Sequence, residues 1–397
     1  MFSRRQVLQQ ALAASAGMLS TTVLGSAGAA HSGSASAPGY GPLKPSNVPG
    51  LLLPDGFSGR IVARSQHVVV PGSEFVWHSA PDGGACFPAD NGGWIYVSNS
   101  ELRNNRGGAS SIRFDRDGTI VDAYSILRGT ERNCAGGATP WQTWLSCEEP
   151  EYEFAGLVYE CDPYGKVGAQ PRPAMGMFCH EAVAVDLRTG YLYMTEDVPD
   201  GCLYRFKPGG YSRGRADLDH GILEAACETS TSPRSIHWRA IPDPTLGKGT
   251  ATRYQLDDVI RFAGGEGIAW QNDSLFFTTK NDNRLWHYRT DINQLSILYS
   301  AHRKPNAELR GVDNVTIDAL GQVLVAEDGG NMQIVMVNSE GKTAPLIQIL
   351  DQEDSEVAGP AFSPNGDRLY FSSQWGHSGG LSGNDGLTYE ISGPFRR

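Results

Sequence analysis

Beyond residue 50 the chain shows almost no helical periodicity. Short β-rich runs dominate, bounded by Gly, Asp, Asn and Pro, as in all-β folds. Six runs share one plan: Trp94 to Ser98, Gln142 to Ser146, Tyr191 to Thr195, Ser274 to Thr278, Gln322 to Ala326, and Arg368 to Ser372. They recur about every 45–50 residues, with one longer gap between the third and fourth, a period that suits propeller blades of four strands. Tight turns precede three of them, at Asp186-Leu187-Arg188-Thr189-Gly190, Asp318-Ala319-Leu320-Gly321 and Ser363-Pro364-Asn365-Gly366-Asp367. Asp or Asn with Gly suits turns that need positive φ. The pattern predicts an all-β chain folded as a six-bladed β-propeller. Gly209 to Asp257 would be an insertion within or after the third blade. The alternative architecture is another large all-β fold.

Equivalent positions of propeller blades converge on the central channel, so a polar residue that recurs at one phase becomes a ring. Two phases recur. Just after the central runs stand Asn99 and Glu101, Glu148 and Glu149, Glu196 and Asp197, Lys280 and Asp282, Glu327 and Asp328, and Gln374. At the start of the preceding strands stand Cys134, His180-Glu181, Glu266, Asp313-Asn314 and Glu356. A Glu-Asp pair after a strand is ordinarily a solvated turn, and a lone cysteine is ordinarily a small buried apolar residue. Recurrence at one phase gives them weight. Carboxylates gathered at one mouth repel one another unless cations neutralise them. Oxygen-rich sites favour calcium, and the single thiolate favours a transition metal. Asn133 to Glu149 concentrates this chemistry, with Cys134, small residues, two tryptophans and Glu148-Glu149 in one segment.

The N-terminus reads as an export signal. Ser3-Arg4-Arg5-Gln6-Val7-Leu8 is a twin-arginine pattern, a modestly apolar run from Ala11 to Leu24 follows, and Ala27-Gly28-Ala29 offers a cleavage site. The run is too short and polar for a stable membrane anchor. The expected organisation is a signal peptide over 1–29, a flexible Gly/Ser/Ala/Pro-rich lead-in over 30–49, and one domain over 50–397. The expected partner of this signal is the twin-arginine export machinery, with a monomer in the periplasm or secreted. The formal charge is −11, and loss of Arg4 and Arg5 with the signal makes it −13. With few basic stretches, nucleic acid is excluded as a partner. The seven cysteines leave at least one unpaired if bridges are internal, with Cys134 the best candidate. Other chemistry is absent: no Gly-Lys-Ser/Thr follows Gly136-Gly137, and there is no Gly-x-Ser-x-Gly elbow and no Cys-x-x-Cys pair.

From about Leu52 to Ile391 the chain resembles the PhoX family of alkaline phosphatases. The likeness is carried by Val97-Ser98-Asn99-Ser100-Glu101, Asn133 to Glu149, Cys179-His180-Glu181-Ala182, Tyr193-Met194-Thr195-Glu196-Asp197, Gly265-Glu266-Gly267, Val325-Ala326-Glu327-Asp328 and Ala358 to Gly366. The resemblance implies a twin-arginine-exported, six-bladed propeller whose partner is a small-molecule phosphate ester and that hydrolyses phosphomonoesters at two irons combined with calcium ions (Fe3+ and Ca2+). It implies Cys134 as an iron ligand, with Glu181 and Glu266 completing iron coordination. Glu101, Glu148 and Asp197 would serve the iron–calcium cluster, and Glu149, Glu196, Glu327 and Asp328 would fall in either shell. The chain departs from the family where an arginine that holds phosphate would precede Glu266, since that position is Gly264. Arg310 and Lys280 are the candidate replacements for this bidentate anion clamp. Two other functions fit the ring: a calcium-dependent propeller lactonase or esterase, which does not need Cys134, and a non-catalytic binding propeller with structural calcium.

Overall fold

The computed structural model describes residues 39–150, 156–229, 232–304, 306–379 and 385–395. The twin-arginine segment and residues 30–38 of the lead-in lie outside them. The described chain is all-β, apart from isolated single turns of 3-10 helix, and its antiparallel sheets are arranged like the blades of a propeller.

Six first strands line the channel: Pro81–Pro88, Asn133–Ala138, His180–Val185, Gly265–Gln271, Val312–Ile317 and Val357–Phe362, with His180–Val185 and Gly265–Gln271 at the two ends of one nine-stranded sheet. Each first strand pairs with a second strand, respectively Trp94–Ser100, Trp144–Glu148, Leu192–Glu196, Ser274–Thr279, Val323–Glu327 and Arg368–Ser373. These second strands coincide with the repeated runs of the sequence. The first strands adjoin their neighbours in order, and Val357–Phe362 returns to Pro81–Pro88. The sequence closes the circle as well, because Ser58–Arg64 pairs with Leu387–Ser392 at the far end of the chain.

Several second strands are buried along their whole length, including Trp94–Ser100, Leu192–Glu196 and Val323–Glu327. A sheet packed on both faces has no solvent side, so its strands read as continuous apolar runs rather than alternating ones. Within one sheet Trp94 stacks on its cross-strand partner Phe114 with centroids 5.2 Å apart, and between neighbouring sheets Tyr96 stacks on Tyr370 at 4.9 Å. Each large side chain buried this way is worth roughly 1.5–3 kcal/mol. At the channel only small residues fit: a Cβ on Gly137 would lie 1.9 Å from the Val183 carbonyl oxygen of the next first strand. Gly136-Gly137 therefore serves close packing.

Three features differ from the sequence expectation. The stretch from Gly209 to Asp257 is not merely inserted, since Gly221–Thr229 forms the fourth strand of its sheet and Ser232–Ala240 a fifth that touches Gln294–Ser300. Residues 39–49 of the lead-in are anchored: Lys44–Pro45 pairs with Leu51–Leu53, which pairs with Thr343–Ile349, and the Tyr40 ring packs 5.0 Å from that of Phe57. All seven cysteines carry free thiols, not Cys134 alone.

Candidate metal centre

Every first strand breaks register with its second strand just after it starts. The breaks fall between Pro81 and Gly84, Asn133 and Gly136, His180 and Val183, Gly265 and Ile268, Val312 and Val315, and Ala358 and Ala361. A bulge bends its strand and re-aims a side chain. The residue carried at each bulge is Asp82, Cys134, Glu181, Glu266 or Asp313, with Gly359 in the remaining strand. Within this ring the donor atoms of Asp82, Glu101 and Cys134 lie within 4.8 Å of one another, as do those of Cys134, Glu149 and Glu181, and those of Glu181, Glu266 and Asp313.

The second strands supply the upper wall. Glu101, Glu149, Asp197, Lys280, Asp328 and Gln374, each one residue past its strand, line a cavity of about 480 Å³ with Cys134, Glu266, Asp313 and Glu356. The preceding residue always turns into the sheet. Glu148 accepts the backbone N–H of Glu131 (2.9 Å) and Leu157 (3.2 Å). Glu196 accepts the N–H of Cys202 (3.0 Å), the Tyr204 hydroxyl (2.9 Å) and the buried Arg253 guanidinium (3.3 Å). Glu327 accepts the N–H of Arg310 (2.8 Å) and Gln333 (3.0 Å). Glu148, Glu196 and Glu327 are thus placed outside the cavity lining, where they tie the loops between strands.

The ring's electrostatics are those of a site that wants cations. Neither oxygen of the wholly buried Glu181 has a hydrogen-bond partner of normal geometry, although the Cys134 thiol lies close by. Burial, then repulsion from Glu149 and Asp313, holds its carboxyl well above the usual range. Asp82, Glu266 and Glu356 are raised likewise, burial first, and Cys134 is pushed up by burial and then by Asp82 and Glu181. Asp313 is pushed up to about 7 and Glu149 to about 8, by burial chiefly, with Lys280 opposing the first and Arg132 the second. A buried carboxylate with no partner is costly, and a thiol among carboxylates ionises only when a cation joins it. The residues present therefore fit a metal: thiolate and carboxylate for a transition ion on the Cys134 side, carboxylate oxygens for a hard ion beside it.

Cations also line the cavity. Arg132 bonds Glu101 through Nε (2.8 Å) and Nη2, and Glu149 through Nη2 (2.9 Å). Gln374 Nε2 bridges Asp82 (2.6 Å) and Glu101 (2.7 Å). Arg103 and Arg106 stand on the wall near Trp375. Of the two candidate phosphate-binding cations, Lys280 is in the cavity, and it donates its backbone N–H to Gly264 (2.8 Å). Arg310 is not: its side chain is exposed and donates to the Ala307 carbonyl at 3.3 Å, and only its backbone meets Glu327. Gly264 itself has φ +71°, and a Cβ there would lie 3.0 Å from Asp197 Oδ1, so an arginine at this position would be strained.

Asp82, Arg132, Arg103 and Arg106 escaped the sequence reading. Asp82 sits in Pro81-Asp82-Gly83-Gly84, which looks like a turn. Its place one strand ahead of Glu101, as Cys134 is one strand ahead of Glu149, was the available signal.

No curated protein sequence matches the chain. Among solved structures it is similar to Pseudomonas fluorescens PhoX in complex with vanadate, a transition state analogue, at 16% identity over 86% of this chain and 96% of that one, with a TM-score of 0.70. It is also similar to a Bacteroides thetaiotaomicron structural genomics protein of unknown function, at 10% identity over 88% and 84% of the chains, with a TM-score of 0.52. At such identities the likeness bears on the fold. The family model of alkaline phosphatase PhoX matches residues 107–296 and 289–376. The chain therefore belongs to the PhoX family of alkaline phosphatases and is a phosphatase enzyme.

Proposed function

We propose that the chain hydrolyses phosphate monoesters of small molecules at a cluster of calcium and iron in the channel of a six-bladed propeller. The observation that carries this reading is the wholly buried Glu181, neither of whose oxygens has a hydrogen-bond partner of normal geometry, beside the half-buried Cys134. Repetition of one strand plan around the channel, with a bulge in each first strand, supports the blade count.

Cys134, Glu149 and Glu181 would hold the iron side, and Asp82, Glu101 and Asp313 would extend the cluster, with Glu266 shared between Asp313 and Lys280. The ions, when bound, supply Lewis-acid charge that stabilises a transferring phosphoryl group. Arg132 fixes Glu101 and Glu149 in one orientation, and Gln374 does so for Asp82 and Glu101. Arg103 and Arg106 offer guanidinium groups to the ester's phosphate as it enters.

Export through the twin-arginine pathway is part of the proposal, supported by Arg4-Arg5 and the small residues at Ala27 to Ala29. Among the described residues no helix is long and apolar enough to cross a membrane.

The test is hydrolysis of an aryl phosphate before and after chelation. The proposal expects activity to vanish with the metals and to return with calcium and iron together. Activity that survives exhaustive chelation sinks it. Metal-replete protein that cleaves lactones but no phosphate ester, with Cys134→Ser silent, would favour the lactonase reading instead.

A further inference from the structure

Lys280 breaks the pattern of the upper wall. Glu101, Glu149, Asp197 and Asp328 follow the ends of their second strands and bring acids to the channel, whereas Lys280 at the same register brings an ammonium group. Its Nζ lies 2.7 Å from Glu266 Oε1, 3.4 Å from Asp197 Oδ2 and 3.7 Å from Asp328 Oδ2. These carboxylates belong to three different strands, Asp197 just past Leu192–Glu196, Glu266 in Gly265–Gln271 and Asp328 just past Val323–Glu327, and they converge on one point, as the ligands of an ion do. Glu181, by contrast, has no hydrogen-bond partner of normal geometry on either oxygen among the described residues.

We propose that the Lys280 ammonium is a covalently tethered cation that fills one divalent-ion position of the ring. The inference rests on the reading of the ring as a metal centre. A tethered charge offsets part of the negative charge of Asp197, Glu266 and Asp328 whether or not metal is present. An ammonium placed among three carboxylates also leaves no room for a hard cation at the same point, because both would claim the same oxygens. The demand for metal is thereby confined to the side of Asp82, Cys134 and Glu181. The same commitment withdraws Lys280 from phosphate binding and leaves that role to the arginines of the wall.

The experiment is elemental analysis of wild type, Lys280→Gln and Lys280→Arg, each loaded with excess calcium and iron and freed of unbound ions. Lys280→Gln should carry one more calcium per chain than wild type, and Lys280→Arg should match wild type. Equal content in all three overturns the inference while leaving the metal centre intact. Absence of metal from all three overturns both.

A second arm needs only wild type, should the glutamine variant not fold. Acylation by acetic anhydride, mapped by mass spectrometry, should find Lys280 equally protected in chelator and in saturating calcium. Calcium that exposes Lys280 to the reagent would mean that the ion displaces the ammonium, and the inference would be wrong.

Discussion

Glu148, Glu196 and Glu327 turn into the sheets, whereas the acids that follow them, Glu149, Asp197 and Asp328, turn into the cavity. Both sets recur at nearly the same blade phase, and successive residues of an extended chain point to opposite sides. The first set accepts N–H groups of loops that would otherwise stay unpaired, and each such charge-assisted bond contributes about 1.5–3 kcal/mol. The second set meets other carboxylates, the thiol of Cys134 and a few cations. One set holds the fold and the other holds charge. Recurrence marks a position in the blade, and only the side to which that position points decides which task it has.

The largest expected effects lie in the cavity. Cys134→Ser and Glu181→Gln should each remove bound metal and lower kcat/KM by at least about a hundredfold, since even partners of direct ligands cost 10–100-fold. Their melting temperatures without metal should not fall, because each variant relieves an unpartnered or repelled group. Retention of wild-type metal by Glu181→Gln would break the contrast.

Next in size is the opposite change. Glu327→Ala leaves the N–H groups of Arg310 and Gln333 without their acceptor and should lose about 1–3 kcal/mol for each that stays dry. Urea unfolding reads the loss, and elemental analysis should find the metal complement unchanged.

A smaller, graded effect is expected from pH. In metal-free protein Glu149 keeps its proton up to about 8, whereas unfolded chain releases it near 4.5. Between these values the unfolded state binds fewer protons, so stability must fall as pH rises. Metal should flatten the slope, because an ion stabilises the ionised form. Thermal melts across this window, with and without metal, check both statements. The smallest effect belongs to Arg310→Ala, which removes an exposed side chain and should change kcat/KM by less than about twofold.

The central strands were legible because second strands packed on both faces produce unbroken apolar runs that turns then punctuate. The cavity was legible in part. Cys134, Glu181 and Glu266 stand out because each is a polar group at the start of an apolar strand, where burial demands a reason. Asp82 does not stand out, since Pro, Asp and two glycines around it read as a turn, and only the bulge shows where it points. Glu148, Glu196 and Glu327 share the blade phase of the cavity acids, and their one-residue offset is invisible until register is known. Arg310 lies near Asp313 in sequence, but its backbone bonds Glu327 while its side chain leaves the channel. Arg132 lies two residues before Cys134 in sequence, where nothing local marks it as a cavity cation, and only its bonds to Glu101 and Glu149 show which way it points.

Glu148 and Glu149 give the most direct test, being adjacent, equally buried and chemically identical. The measurement is metal content per chain for Glu148→Gln and Glu149→Gln after identical loading with calcium and iron. The account predicts that Glu149→Gln loses metal while Glu148→Gln keeps the wild-type complement in a less stable fold. Loss of metal from Glu148→Gln with Glu149→Gln fully loaded would contradict it.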